Sequence, residues 1–273
     1  MRAKNLFQLA KDPRFISGIY NYCDRWCERC AFTSRCLVYA REQQDQNDPV
    51  ARDITNEAFW KKLGEIFQQT KEMLEAAAKE RGIDLDAESL AAEGYKERHR
   101  EKKAKTKNHK LARASMAYIK MVDQWFKSEK DIFAEKENEL NTMAQLEIGG
   151  RQPKKTAASI VDAVEIIRWY QHQIYVKLMR ALTPDEAELL DDEGKPYPKD
   201  SDGSAKVALI AMERSIAAWG NLREHFPDKT DEVLNLLLHL DRLRRKTELH
   251  FPEARSFVRP GFDAIPGRKA STK

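Results

Sequence analysis

Apolar residues recur along this chain every three or four positions, the period of helices that bury one side. Phe59, Leu63, Ile66, Phe67, Met73 and Leu74 form one such stripe. It predicts a helix capped by Asp53 or Thr55, running to about Arg81 and stopped by Gly82. Leu111, Tyr118, Trp125 and Ile132 recur at every seventh residue, with Ala114 and Met121 between them, as in a bundle or coiled-coil seam ended by Gly149-Gly150. Between 156 and 182 the pattern is richest. Ile160, Ala163, Val164, Ile167, Tyr170, Ile174 and Leu178 lie on one face, with Val161, Trp169, Val176 and Met179 on the other. A helix apolar almost all round is expected at the centre of a fold.

Shorter patterns predict helices over 15–22, 34–44, 204–226 and 233–249, the last capped by Thr230. Asp48-Pro49 reads as a break, and the Pro- and Gly-bearing stretch 183–203 as a loop. From Lys96 to Lys110 the only apolar residue is Ala104, which predicts a break or a solvated bridge. No stretch alternates apolar and polar residues as a half-buried strand does. The expected fold is all-α: a cysteine-rich segment over 1–45, a multi-helix bundle over 50–250, and an extended tail over 251–273. In that tail Phe257, Val258 and Phe262 are candidates to pin it to the body.

Composition agrees. The 273 residues are 41% hydrophobic and 34% charged, with few Gly and Pro, which favours helix. A chain this long can bury an ordinary core without cysteine staples. The net charge of +4 is mild, yet 95–113 holds nine Lys or Arg against two Glu, a local +7 that leaves −3 elsewhere. Such a block suits phosphate backbone, but with Tyr95 as its lone aromatic it reads first as a solvated helix face, and nucleic acid is not the favoured partner. The start lacks the apolar core and cleavage site of a signal peptide, and no apolar run approaches a membrane span. A cytoplasmic location is therefore expected, where clustered cysteines serve metals or redox chemistry rather than disulfides.

All four cysteines of the chain, Cys23, Cys27, Cys30 and Cys36, fall in Tyr-Cys-Asp-Arg-Trp-Cys-Glu-Arg-Cys-Ala-Phe-Thr-Ser-Arg-Cys. Soft thiolates select zinc or iron–sulfur clusters over hard cations. Zinc sites usually show two C-x2-C pairs, and here only Cys27 and Cys30 make one. A retroviral-type zinc knuckle has the same length but uses a histidine and glycines, which the segment lacks. Arg14, Arg25, Arg29 and Arg35, partly offset by Asp24 and Glu28, would favour thiolates, and Tyr22, Trp26 and Phe32 could shield a cluster. Four reduced cysteines without metal are the bland alternative.

Cys27, Cys30 and Cys36, spaced C-x2-C-x5-C, resemble the cluster-binding segment of the WhiB-like proteins and of the FNR family of oxygen-sensing regulators. In the FNR family an additional cysteine commonly precedes the run by four positions, as Cys23 precedes Cys27. The likeness is confined to this segment. The barrel and winged DNA-binding domain of FNR proteins have no counterpart here, nor does their distant fourth cysteine. The resemblance thus implies a [4Fe–4S] cluster with Cys23 as fourth ligand, or one with three cysteine ligands and an open iron. The wider phrase from Phe15 to Cys36 is similar to the N-terminus of an uncharacterised bacterial protein family, which implies a bacterial origin and a defined site.

A second constellation is Glu165 and His172 on the central helix, joined by Glu213 and His239 from later helices. These could ligate metals in a bundle core, although the Glu-x-x-His pair of ferritin-like sites is missing. An internal polar network is the default for them. No Walker loop, G-x-G-x-x-G, G-x-S-x-G or H-E-x-x-H occurs. The leading expectation is a cytosolic iron–sulfur protein in electron transfer or redox and oxygen sensing, meeting a protein redox or regulatory partner. A zinc-stapled interaction or scaffold protein is the alternative, and a di-metal bundle oxidase the third.

Overall fold

The computed structural model describes residues 12–46, 53–80, 82, 93–146, 152–183 and 199–263. Within them lie eight α-helices and no strand: α1 Leu37–Gln46, α2 Glu57–Glu80, α3 Glu93–Asn108, α4 Lys110–Ser128, α5 Lys130–Gln145, α6 Pro153–Leu182, α7 Asp200–His225 and α8 Thr230–His250. The all-α reading holds. The breaks at Asp48-Pro49 and Gly149-Gly150, most of the 183–203 loop and the tail after Asp263 lie outside the described residues. The chain forms two compact units, one of Met1–His99 with Val258–Lys273, the other of Arg100–Phe257.

In the first unit the expected helix over 15–22 is reduced to a 3-10 turn, Ile19–Tyr22. Gly18 at φ 72 sets its start, a left-handed residue that no α-helix accommodates. The expected helix over 34–44 likewise divides, into a 3-10 turn Thr33–Arg35 and α1. For α2 the capping residue is neither Asp53 nor Thr55. Asn56 accepts from the Ala58 N–H at 2.9 Å, while Asp53 is occupied with Thr55. Gly82, at φ 66, follows the helix as expected.

The second unit is built around α7. Twelve of its residues are buried, among them Gly203, Ser204, Ala205, Ala208, Ala211 and Ser215. Small side chains let neighbouring helices approach closely, so α6 and α8 both pack on it, and α4 packs on α6 and α8. The expected central helix, α6, packs on α4 and α5 as well as on α7. On α6, Ile160, Ala163, Ile167, Tyr170, Ile174 and Leu178 are buried, but Val161 and Val176 on the other face stay more than half exposed. Hydropathy overstated the burial of α6 because its second face is apolar but only partly covered, at Trp169 and Met179. It understated α7 because alanine, serine and glycine carry little hydropathy.

Two further findings concern the basic stretch and the seam. Helix α3 runs through to Asn108, so the basic stretch is helical up to the break expected between 96 and 110, which falls at His109. Lys, Arg and Glu are good helix formers, so lack of apolar residues does not end a helix. The chain turns at His109, whose backbone is extended and whose Nδ1 accepts from the Leu111 N–H at 3.3 Å, capping α4. Leu111, Tyr118 and Trp125 are buried as the heptad required. Ile132 is not on their helix, because Glu129 separates α4 from α5. At the core Tyr118 is fully buried, its hydroxyl accepting from Trp219 Nε1 at 2.9 Å, and burial pushes that phenol far above its usual range.

Candidate metal centre

The cysteines sit on short turns rather than on α-helices. Cys23 follows the first 3-10 turn, Cys27 opens a second, Cys27–Arg29, and Cys30 ends it. Cys36 follows the third, its N–H bonded to the Thr33 carbonyl at 3.2 Å. Cys23, Cys27 and Cys30 have spacings of four and three residues that an α-helix would also bring together, but Gly18 and Arg25 hold the chain in turns, and Cys36, six residues past Cys30, is brought round by a third turn. Arg25 makes one reversal by adopting φ 59, a left-handed conformation that costs a residue with a Cβ on the order of 1–3 kcal/mol. The Asp24 carboxylate steadies the same loop by accepting from the Trp26 N–H at 3.2 Å.

All four cysteines line one cavity of about 20 Å³. The rest of its wall is mostly apolar, including Ile19, Trp26, Phe32, Tyr39 and Phe262. Each cysteine is half-buried and none is in a disulfide. The Cys30 sulfur accepts from the Phe32 N–H at 3.4 Å, and Cys23 donates to the Tyr20 carbonyl at 3.5 Å. Burial, then Glu42, then the other three cysteines push the Cys27 thiol up to about 11. That order carries a chemical message. Burial and neighbouring negative charge both oppose a Cys27 thiolate, and a bound metal reverses that trend by deprotonating its thiols outright.

The wall also contains a part that no local reading of the cysteine segment supplies. Phe262 meets Phe32 edge-on with centroids 5.1 Å apart. Just before it, Gly261 at φ 78 lies so close to the segment that a Cβ there would meet Ile16 at 2.9 Å and Ile19 at 3.0 Å. The tail is thereby pinned at Phe262, while Phe257 is buried within the second unit. Arg29 lies over the Trp26 ring at 4.1 Å, and Arg25 is 4.0 Å from Glu42 on the exposed side.

Four soft sulfurs around one cavity, an N–H on a sulfur and an apolar wall make a donor set that fits a thiolate-bound metal. Yet among the described residues no group of three or more His, Cys, Asp or Glu is drawn as close as a metal ion requires. The sulfurs surround the space without forming a closed shell.

The second constellation is dispersed. Glu165 and His172 are exposed on α6, His172 beside Gln171 Nε2 at 3.0 Å. Glu213 pairs with Arg255 at 2.6 Å. His239 bonds the Ala114 carbonyl at 2.8 Å and lies parallel to Tyr118. His172, Glu213 and His239 thus each bond a group outside the expected ligand set. No family model, no curated protein and no solved structure matches this chain.

Proposed function

We propose that Cys23, Cys27, Cys30 and Cys36 hold a [4Fe–4S] cluster and that the protein acts in electron transfer or redox sensing with a protein partner. The observation that carries this reading is the convergence of every cysteine in the chain on one apolar-walled cavity. A bound cluster supplies one-electron redox chemistry. The chain's own contribution is to orient and shield it. Trp26, Phe32 and Phe262 keep water off, the Phe32 N–H stabilises a more negative Cys30 sulfur, and Arg25 and Arg29 oppose the negative charge of a thiolate set.

One observation favours a second reading. A cavity of about 20 Å³ has room for roughly one water-sized centre, closer to a single ion than to a four-iron cube. A zinc ion in tetrahedral thiolate coordination would staple the turns, and the protein would then be an interaction or scaffold protein without redox chemistry.

Anaerobic purification followed by iron, sulfide and zinc analysis decides between them. The cluster reading expects a brown protein with about equal iron and acid-labile sulfide, whose visible absorption bleaches on reduction and is lost in Cys27→Ser and Cys30→Ser. A colourless protein with stoichiometric zinc overturns it in favour of the staple. Neither metal at stoichiometry removes both.

A further inference from the structure

The +7 block of the sequence ends at Arg113, but the basic surface does not. On α4, Lys110, Arg113, Lys120 and Lys127 are all exposed. Their spacings place them within an arc of ~100° on a 3.6-residue helix, a stripe about 26 Å long. Between them the stripe carries Ala117 and Gln124. The one acid of α4, Asp123, lies off the stripe and is paired with Arg168 at 2.9 Å.

Helix α8 adds to this stripe from more than a hundred residues away. His239 bonds the Ala114 carbonyl, and the His250 ring lies 4.8 Å from that of His109. These two contacts run α8 antiparallel to α4 and fix which side of α8 borders the seam. Arg242 and Lys246 fall on that same side, between the two histidines, and both are exposed. The acids of this stretch, Asp241 and Glu248, point elsewhere and are held by Arg244, Arg245 and Arg255. Glu232, at the far end of α8, is the acid on the same stripe. Among the described residues no carboxylate lies within ion-pair distance of Lys110, Arg113, Lys120, Arg242 or Lys246. Like charges brought together without counter-charges cost free energy in the free protein, and a polyanion removes that cost by displacing its own counterions.

We propose that the α4–α8 seam binds the phosphate backbone of a nucleic-acid duplex without reading its sequence. The chemistry selects this partner. Single strands are held by aromatic platforms, and the stripe has none, since Tyr118 and Trp125 point into the core. An interfacial membrane helix needs several large apolar residues beside its cations. Leu249, exposed near the seam, is one such residue, so anionic vesicles are the competing probe. This surface is independent of the cysteines and does not rest on the metal reading.

The test is fluorescence anisotropy of a DNA duplex of about 20 base pairs, titrated with the full chain between about 50 and 200 mM salt. Five phosphate contacts give a slope of log K against log salt of about −4.5. The triple variant Arg113→Gln, Arg242→Gln, Lys246→Gln should flatten that slope by about 2.7. It should also weaken binding at least tenfold at the lowest salt, with an unchanged melting curve. A control variant removing the same charge from α2, Lys61→Gln, Lys62→Gln, Lys71→Gln, should bind as the parent does. The proposal is overturned by no binding at the lowest salt, by equal binding of the seam variant, or by equal loss in the α2 control. Phosphatidylserine vesicles displacing the duplex at lower concentration would overturn it as well. Cys30→Ser protein should bind the duplex normally, which separates this outcome from failure of the metal reading.

Discussion

At the scale of single residues, backbone conformation and protonation decide more than residue type suggests. Gly261 is a case of both geometry and space, with φ 78 and no room for a Cβ against Ile16 and Ile19. Gly261→Ala should destabilise the first unit by about 1–3 kcal/mol, and the loss should appear in the melting of Trp26 fluorescence. His109 gives a pH dependence. Burial first, then His250 and Lys110, hold its imidazole below the usual histidine range, and its neutral Nδ1 caps α4. As pH falls below about 6.5 the unfolded chain takes up this proton before the folded one does, so stability should decline. Urea titrations at several pH values check it. His109→Asn keeps a capping acceptor without the titration and should flatten the decline.

Elements differ in how much of their burial can be read from periodicity. The heptad of α4 identified Leu111, Tyr118 and Trp125 correctly, because a seam facing one partner leaves a clean period. Helix α6 carries two apolar faces, and nothing in the sequence says which one is covered. The consequence is measurable. Ile167→Ala on the buried face should cost about 2–5 kcal/mol in chemical denaturation, while Val161→Ala on the exposed face should stay within about 0.5 kcal/mol. Tyr118→Phe should cost about 1–3 kcal/mol, since it leaves the buried Trp219 Nε1–H without its acceptor.

For the whole molecule, the two units answer to different forces. Helices α4 to α8 close on a core of their own, with Trp219, Tyr170, Leu209 and Leu240 among its most buried members. The cysteine turns have little burial to hold them, and Ile19 is the only buried residue in the three of them. A metal on the thiolates would therefore supply much of their stability. Chelation should shift the Trp26 signal and the near-ultraviolet spectrum while leaving most of the helical signal in place. Loss of the whole helical signal on chelation would contradict this division. Among the described residues no helix is long and apolar enough to cross a membrane.

Local chemistry was determined by the sequence alone. The helical period, the four clustered thiols and the charge block of 95–113 are properties of neighbouring residues, and neighbours are what a sequence orders. The tertiary structure decided what depends on distant residues meeting. It buried twelve residues of alanine-rich α7, put Phe262 into the wall of the cysteine cavity, and set Arg242 and Lys246 beside the cations of α4. Periodicity says that a face is apolar or charged. Only packing says which other face it meets.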